Sequence, residues 1–394
     1  MKATKWKSYS LALIAGMSVL TACSSDDNND NGGNGNNGNG NEIENGTTLK
    51  GTITSDVTLT AGSTYKLSGE YIVEDGATLN IEAGVKIISI YDDIVDYILV
   101  KQGGKINAVG TSSAPIVMTS EKEEPGAGGG IHICGKAHTN AEGGKGSSEI
   151  GGATYGGNDD ADNSGTLKYV RVEYSGYAFD SEHEANGITF YGVGNGTTVE
   201  YCQAYKGSDD GFEFFGGSVN VSNLVSVSCS DDSFDWTEGW NGTATNLVAY
   251  QEAEETLGYD CDCLIEADNN ENNYAATPVA HPVLKNLILV GNNSAAGNRG
   301  IRLRRGTQVE IDGAKVCGKK NAVTLESEET ENALLAGTSK LANMTVDSEL
   351  RSEKNIYTND NFVSAGNTVD TSLKYTSFDD IKAECEWMAG NWVK

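Results

Sequence analysis

Three short stretches alternate apolar and polar residues at the two-residue period of a strand: 187–191 (GITFY), 211–215 (GFEFF) and 233–237 (SFDWT). Their starts are 24 and then 22 residues apart. Alternation places Ile188, Phe212 and Phe234 in one inward column and Phe190, Phe214 and Trp236 in the next. Between them, pointing outward, run Thr189, Glu213 and Asp235. The same register continues through 264–267, 300–303 and 322–325, adding Glu266, Arg302 and Thr324 to the outward column. A repeat of 20–50 residues signals stacked supersecondary units. Rungs of 31 and 36 residues require long loops, which the polar stretches 238–262 and 268–298 supply.

A second strand family repeats in phase at 199–202, 222–225, 245–248 and 285–288. Asn223, Asn246 and Asn286 occupy equivalent places in it. Asparagine tolerates left-handed backbone angles, and its amide can bond to its neighbour one rung away. Segments 76–81 and 103–108 form a looser repeat nearer the N-terminus, each followed by another strand. The pattern predicts an all-β chain, a right-handed parallel β-helix over 47–354. Residues 355–394 should form a C-terminal capping segment, with a short helix near 379–388 started by Ser377 or Asp379, and with Trp387 and Trp392 as its hydrophobes.

The first residues have another character. Lys2, Lys5 and Lys7 precede an apolar run, Ser10 to Val19, too short to span a bilayer. Leu20, Thr21, Ala22 and Cys23 look like a bacterial lipobox, so residues 1–22 are read as a signal peptide and Cys23 as the lipidation site. Residues 23–46, rich in Asn, Gly, Asp and Ser, are read as a disordered tether. Ser24, Ser25, Asp26 and Asp27 resemble the acidic export signal that sends Bacteroidetes lipoproteins to the exterior of the cell outer membrane.

Charge narrows the partners. The chain carries a formal −28, and −31 once Lys2, Lys5 and Lys7 leave with the signal peptide. This opposes nucleic-acid binding and favours cations. Seven cysteines follow Cys23 without zinc-finger spacing, and buried thiols are the expectation.

The outward column carries the candidate chemistry. Rungs lie about 4.8 Å apart, so Glu213, Asp235 and Glu266 would stack as like charges. Asp209, Asp210, Asp231 and Asp232 stack just before the strands. Bound Ca²⁺, raised carboxylate pKa values or neighbouring arginines would each offset the repulsion. Arg302 follows Glu266 in the column, Arg304 shares its face, and Arg299 falls in the column of Asp210 and Asp232. An arginine ladder is the plainer reading. Ca²⁺ held by Asp210, Glu213, Asp232, Asp235 and Glu266 is the other. Asp159, Asp160, Asp162 and Asn163 start like a calcium loop, but Arg171 stands where its final acid belongs, so a solvated turn is expected. None of the four histidines falls in the stripe by this register, and Tyr177, Tyr191, Phe215 and Trp240 are candidate sugar-stacking rings.

Taken as a set, residues 151–157, 159–170, 209–213, 266–269 and 303–307 resemble the parallel β-helix outer-membrane lipoproteins of Bacteroidetes, within the pectin-lyase-like superfamily. The resemblance implies fold and location, and no reaction. The favoured function is a surface lipoprotein that binds a glycan or a partner such as a TonB-dependent receptor, or that acts as an adhesin, without catalysis. The alternative is a polysaccharide lyase or glycoside hydrolase that uses the acidic stripe; the asparagine–threonine–aspartate and glycine–histidine–glycine signatures of polygalacturonases are missing.

Overall fold

The computed structural model describes residues 41–92, 94–178, 184–294 and 297–394. The signal peptide, Cys23 and most of the tether lie outside the described residues, as does His183.

The described chain coils into a right-handed parallel β-helix of 25 strands joined in one continuous sheet system. Three ladders run along it. The third ladder contains the aromatic strands, with Ile188 beside Phe212 and Phe212 beside Phe234. It continues from Asp235 to Glu266, from Glu266 to Arg302 and from Arg302 to Thr324, the register expected from alternation. The looser N-terminal repeat pairs as predicted, Leu79 with Ile106 and Asn80 with Asn107. The coil begins earlier than residue 47. Asn41–Ile43 already pairs with Val57–Leu59, and Ile43 packs on the core, so the polar tract ends once an apolar side chain has a rung to lie on.

Stacking fills the interior. Phe190 lies 5.1 Å from Phe214, Phe212 lies 5.5 Å from Phe234, and Phe214 lies 4.1 Å from Trp240, all near parallel. Parallel rungs force identical columns into register, so flat rings stack face on face with offset. Trp236 and Trp240 are fully buried, and their indole N–H groups donate to Thr307 Oγ1 and to the carbonyl of Val219. All seven described cysteines are free and buried.

The first and second ladders meet at a one-residue bend. Tyr169, Tyr201, Asn223, Asn246, Asn286, Gly313 and Asn343 all take left-handed φ there. This conformation disfavours most side chains and suits Asn and Gly. Asn246 donates to Asn223 Oδ1 at 2.8 Å and Asn286 to Asn246 Oδ1 at 3.3 Å, the expected amide stack.

The C-terminal residues do two things. Phe362, on the helix Asn359–Ser364, is buried in the coil's core, and Thr368–Val369 makes the last pairing of its ladder. From residue 370 the chain turns back along the outer face of the second ladder. The helix Phe378–Glu384, N-capped by Ser377, sets Ile381 against the coil; Met388, Trp392 and Val393 follow, packing with Val225, Val248 and Ile288. Trp392 meets Tyr169 at 5.9 Å and Tyr201 at 5.7 Å. Arg171 donates to the carbonyls of Asn391 and Trp392, and the Asn391 N–H donates to Ser112 O at 2.6 Å. No helix among the described residues is long and apolar enough to cross a membrane.

Candidate functional site

The outward face of the third ladder divides into two halves. Toward the C-terminus, arginines meet every acid. Arg302 bridges Glu266 at 2.6 Å and Glu326 at 3.1 Å. Arg304 pairs with Glu266 and, at 2.8 Å, with Asp268, which also meets Arg305 at 2.8 Å. Arg299, placed by register in the column of Asp210 and Asp232, turns instead to Glu326 at 2.8 Å.

Toward the N-terminus the acids are left to themselves. Asp209, Asp210, Glu213, Asp231, Asp232 and Asp235 line a cleft of about 360 Å³ with Glu149, Glu184, Asp262 and Arg302. Among the described residues, no Lys or Arg forms an ion pair with any of those first six. Asp209, Asp210, Glu213 and Asp232 are buried, whereas Asp231 is exposed at the lip.

Backbone geometry holds the acids in place. Asn186 Oδ1 accepts the N–H of Asp210 at 3.2 Å, Asp210 Oδ1 that of Asp232 at 2.8 Å, and Asp232 Oδ1 that of Cys263 at 2.7 Å. Each side chain therefore tethers the next rung. Asn186 also donates through its amide to Glu213 Oε2. Two triads result. Asp210, Glu213 and Asp235 each bring a carboxylate oxygen within 4.8 Å of the other two, and so do Asp232, Asp235 and Glu266. Asp235 belongs to both triads, and its Oδ1 is closed off from solvent and has no hydrogen-bond partner among the described residues.

Burial and like charge shift these groups upward. Loss of water, then the charge of Asp232, holds Asp210 well above the usual carboxylate range. Burial, then Glu149 and Asp235, does the same to Glu213, and burial, then Asp231, to Asp232. Asp209 is pushed to about 9 by burial and by Glu184. Asp235 reaches about 7, raised by burial and Asp268 and held back by Arg304. Asp231 reaches about 6 through partial desolvation and the charges of Asp262 and Glu184.

Several sequence expectations need correction. His132 does share the outward column, pairing beside Thr189, which pairs beside Glu213. It is fully buried beside Tyr97 and Tyr191 under the cover of the outer face, and burial depresses its pKa to about 4, so it is neutral. Trp240 and Tyr191 are buried and present no ring to a sugar; Phe215 and Tyr177 are half-buried. The 159–163 turn is mostly exposed, and Asp160 accepts from His138 at 2.6 Å. Asn186, Glu149, Glu184, Asp262, Asp268 and Glu326 are additional members of the face. Asn186 was open to inference, since it precedes Gly187 as Asp210 precedes Gly211. Glu149 and Glu184 arrive from outside the rungs and left no periodic signal.

Chemically, hard oxygens converge on a cleft with an orphaned acceptor among them. That donor set fits a hard divalent cation, with Asp210, Glu213, Asp232 and Asp235 as its holders. Comparison with known proteins bears on the fold. No curated protein sequence matches the chain. A crystal structure of the Dettilon tailspike protein is similar at 9% identity and a TM-score of 0.32, covering 76% of this chain. This chain spans 56% of that one's length. The profile of the pectate-lyase-like beta helix domain matches residues 51–394, so the stacked rungs, their register and this match place the chain in the pectate-lyase-like β-helix family.

Proposed function

We propose that this is a lipid-anchored protein on the outer face of the cell outer membrane, and that its acidic cleft binds Ca²⁺ and, through the cation, an acidic glycan. The unpaired half of the stripe carries the reading: among the described residues, six carboxylates sit together without an ion-paired Lys or Arg, while the next acids in the same column each have an arginine. Burying like charges beside one another is costly unless they are protonated or neutralised. A divalent ion meets that need, and its remaining coordination positions would accept a ligand's carboxylate. A TonB-dependent receptor is the candidate partner at that surface.

Binding without turnover is favoured because Arg302 and Arg304, the cleft's candidate bases, are already committed to Glu266, Asp268 and Glu326. A glycoside hydrolase is the second reading, and one observation supports it. Asp235 near 7 and Asp209 near 9 would supply protonated acids at neutral pH.

Titration calorimetry with Ca²⁺ alone tests the first step. Heat of binding is expected for the wild type and a large loss for Asp235→Asn; no heat in the wild type would end the proposal. Polygalacturonate incubated with the calcium-loaded protein should bind and stay intact. New reducing ends or unsaturated products would transfer the case to the enzyme readings. Protease shaving of intact cells should remove the protein, and Cys23→Ala should release it from the membrane fraction. Full protection from protease would refute surface exposure.

A further inference from the structure

The asparagine stack at the bend between the first and second ladders has a gap. Asn223, Asn246 and Asn286 are linked amide to amide. The next rung pairs Lys285 with Asp312 and Leu287 with Ala314, which sets Gly313 opposite Asn286. Glycine has no side-chain amide to offer. One rung later Asn343 turns aside to Asp312 Oδ1 at 2.6 Å. Among the described residues no protein donor reaches Asn286 Oδ1, and Asn286 is exposed, so this acceptor faces solvent.

The backbone does not demand glycine at this place. Residue 313 has φ +83°, and its neighbours at the same bend, Asn286 and Asn343, take +58° and +54° as asparagines. Space does not demand it either. A Cβ on Gly313 would find Asn286 Oδ1 at 3.5 Å as its nearest neighbour, an ordinary contact. The missing side chain leaves room in a groove of about 370 Å³. The half-buried indole of Trp387 on the returning C-terminal segment lines that groove, over a floor that includes the buried Val248 and Ile288. Lys315 and Glu384 pair within it, so its charges balance.

We propose that this groove is a second binding site, for a neutral saccharide. A sugar ring has apolar faces for the indole and hydroxyl donors for the open Asn286 carbonyl, and it needs no net charge opposite. A peptide strand fits less well. The strands of this wall are paired on both sides, so no free sheet edge is present. The site lies on a different ladder from the acidic cleft and does not rest on calcium.

Affinity electrophoresis through gels containing dextran, mannan, arabinoxylan or mixed-linkage β-glucan, run with excess EDTA, tests it. At least one gel should retard the wild type, with Asp235→Asn retarded equally. Trp387→Ala should weaken binding at least tenfold. Gly313→Asn is the sharper variant, because it should complete the amide stack, melt no lower than the wild type and still lose retardation. The proposal fails if no gel retards the wild type in EDTA, or if Gly313→Asn binds as before. Retardation seen only with calcium and lost in Asp235→Asn would assign binding to the acidic cleft and refute this groove.

Discussion

Glu213 and Glu266 stand two rungs apart in one outward column, yet their surroundings are opposite. Glu266 is gripped by Arg302 and Arg304, whereas Glu213 faces Asp235 and Asp210 with, among the described residues, the Asn186 amide as its hydrogen-bond donor. The fold is the same in both places, so the difference is in what each rung supplies. Where a rung supplies arginine, the charge closes on itself and the surface is finished. Where it supplies a further acid, the carboxylates must keep their protons or be neutralised by a cation. A repeated backbone can thus carry a structural ion-pair network and a cluster of carboxylates without ion-pair partners side by side.

The comparison can be broken most forcefully at Arg302. Arg302→Ala leaves Glu266 and Glu326 largely buried with fewer partners, and should cost about 3–5 kcal/mol in urea unfolding, comparable to Phe212→Ala in the aromatic stack. A loss under about 1 kcal/mol would show that the arginine half is merely solvated charge. Calcium should act on the other half. At a hundredfold excess over its dissociation constant it should stabilise the wild type by about 2.7 kcal/mol, and Arg302→Ala by a similar increment. Equal melting curves with calcium and with chelator would remove the distinction between the halves.

A pH series sharpens it. Asp209 and Asp235 keep their protons in the folded chain to about 9 and about 7, while the unfolded chain loses them near the ordinary value of 3.8. The folded state therefore binds more protons between these limits, and stability must fall as pH rises. In EDTA the melting temperature should drop by roughly a few degrees from pH 5 to 8. Calcium should flatten or reverse that slope, since it binds the deprotonated carboxylates. A chelated protein that grows more stable with rising pH would contradict the assignment. The smallest effect is expected from Asp235→Asn in EDTA, a gain of up to about 1 kcal/mol from removing one like charge. Any gain should vanish in calcium, where the wild type recovers.

Alternation along the strands was enough to set the rungs from Ile188 to Leu325, because a one-residue slip would have turned Phe212 and Trp236 outward. The same register correctly stacked Glu213, Asp235, Glu266 and Arg302. It could not choose between the two directions open to Arg299, since a long side chain reaches acids on several rungs, and Glu326 lies beyond the strand end. Alternation describes one rung alone, so it missed that the segment carrying Ile150 and Tyr155 covers Tyr191 on the outer face, and that Trp240, past its strand's end, turns into the interior onto Phe214. Glu149 and Glu184 were illegible for the same reason.

The returning C-terminal segment also changes how the molecule should come apart. A coil whose rungs touch only their neighbours is nearly one-dimensional, and can fray from either end while its middle persists. Here Asn391 is bonded to Ser112 and Trp392 lies on Tyr169 and Tyr201, so the last residues of the described chain hold rungs laid down far earlier. Loss of a terminal turn therefore loosens the middle as well. The strap converts a stack of separable layers into a single cooperative unit, and the coil can reach its final stability only after the whole length has been wound.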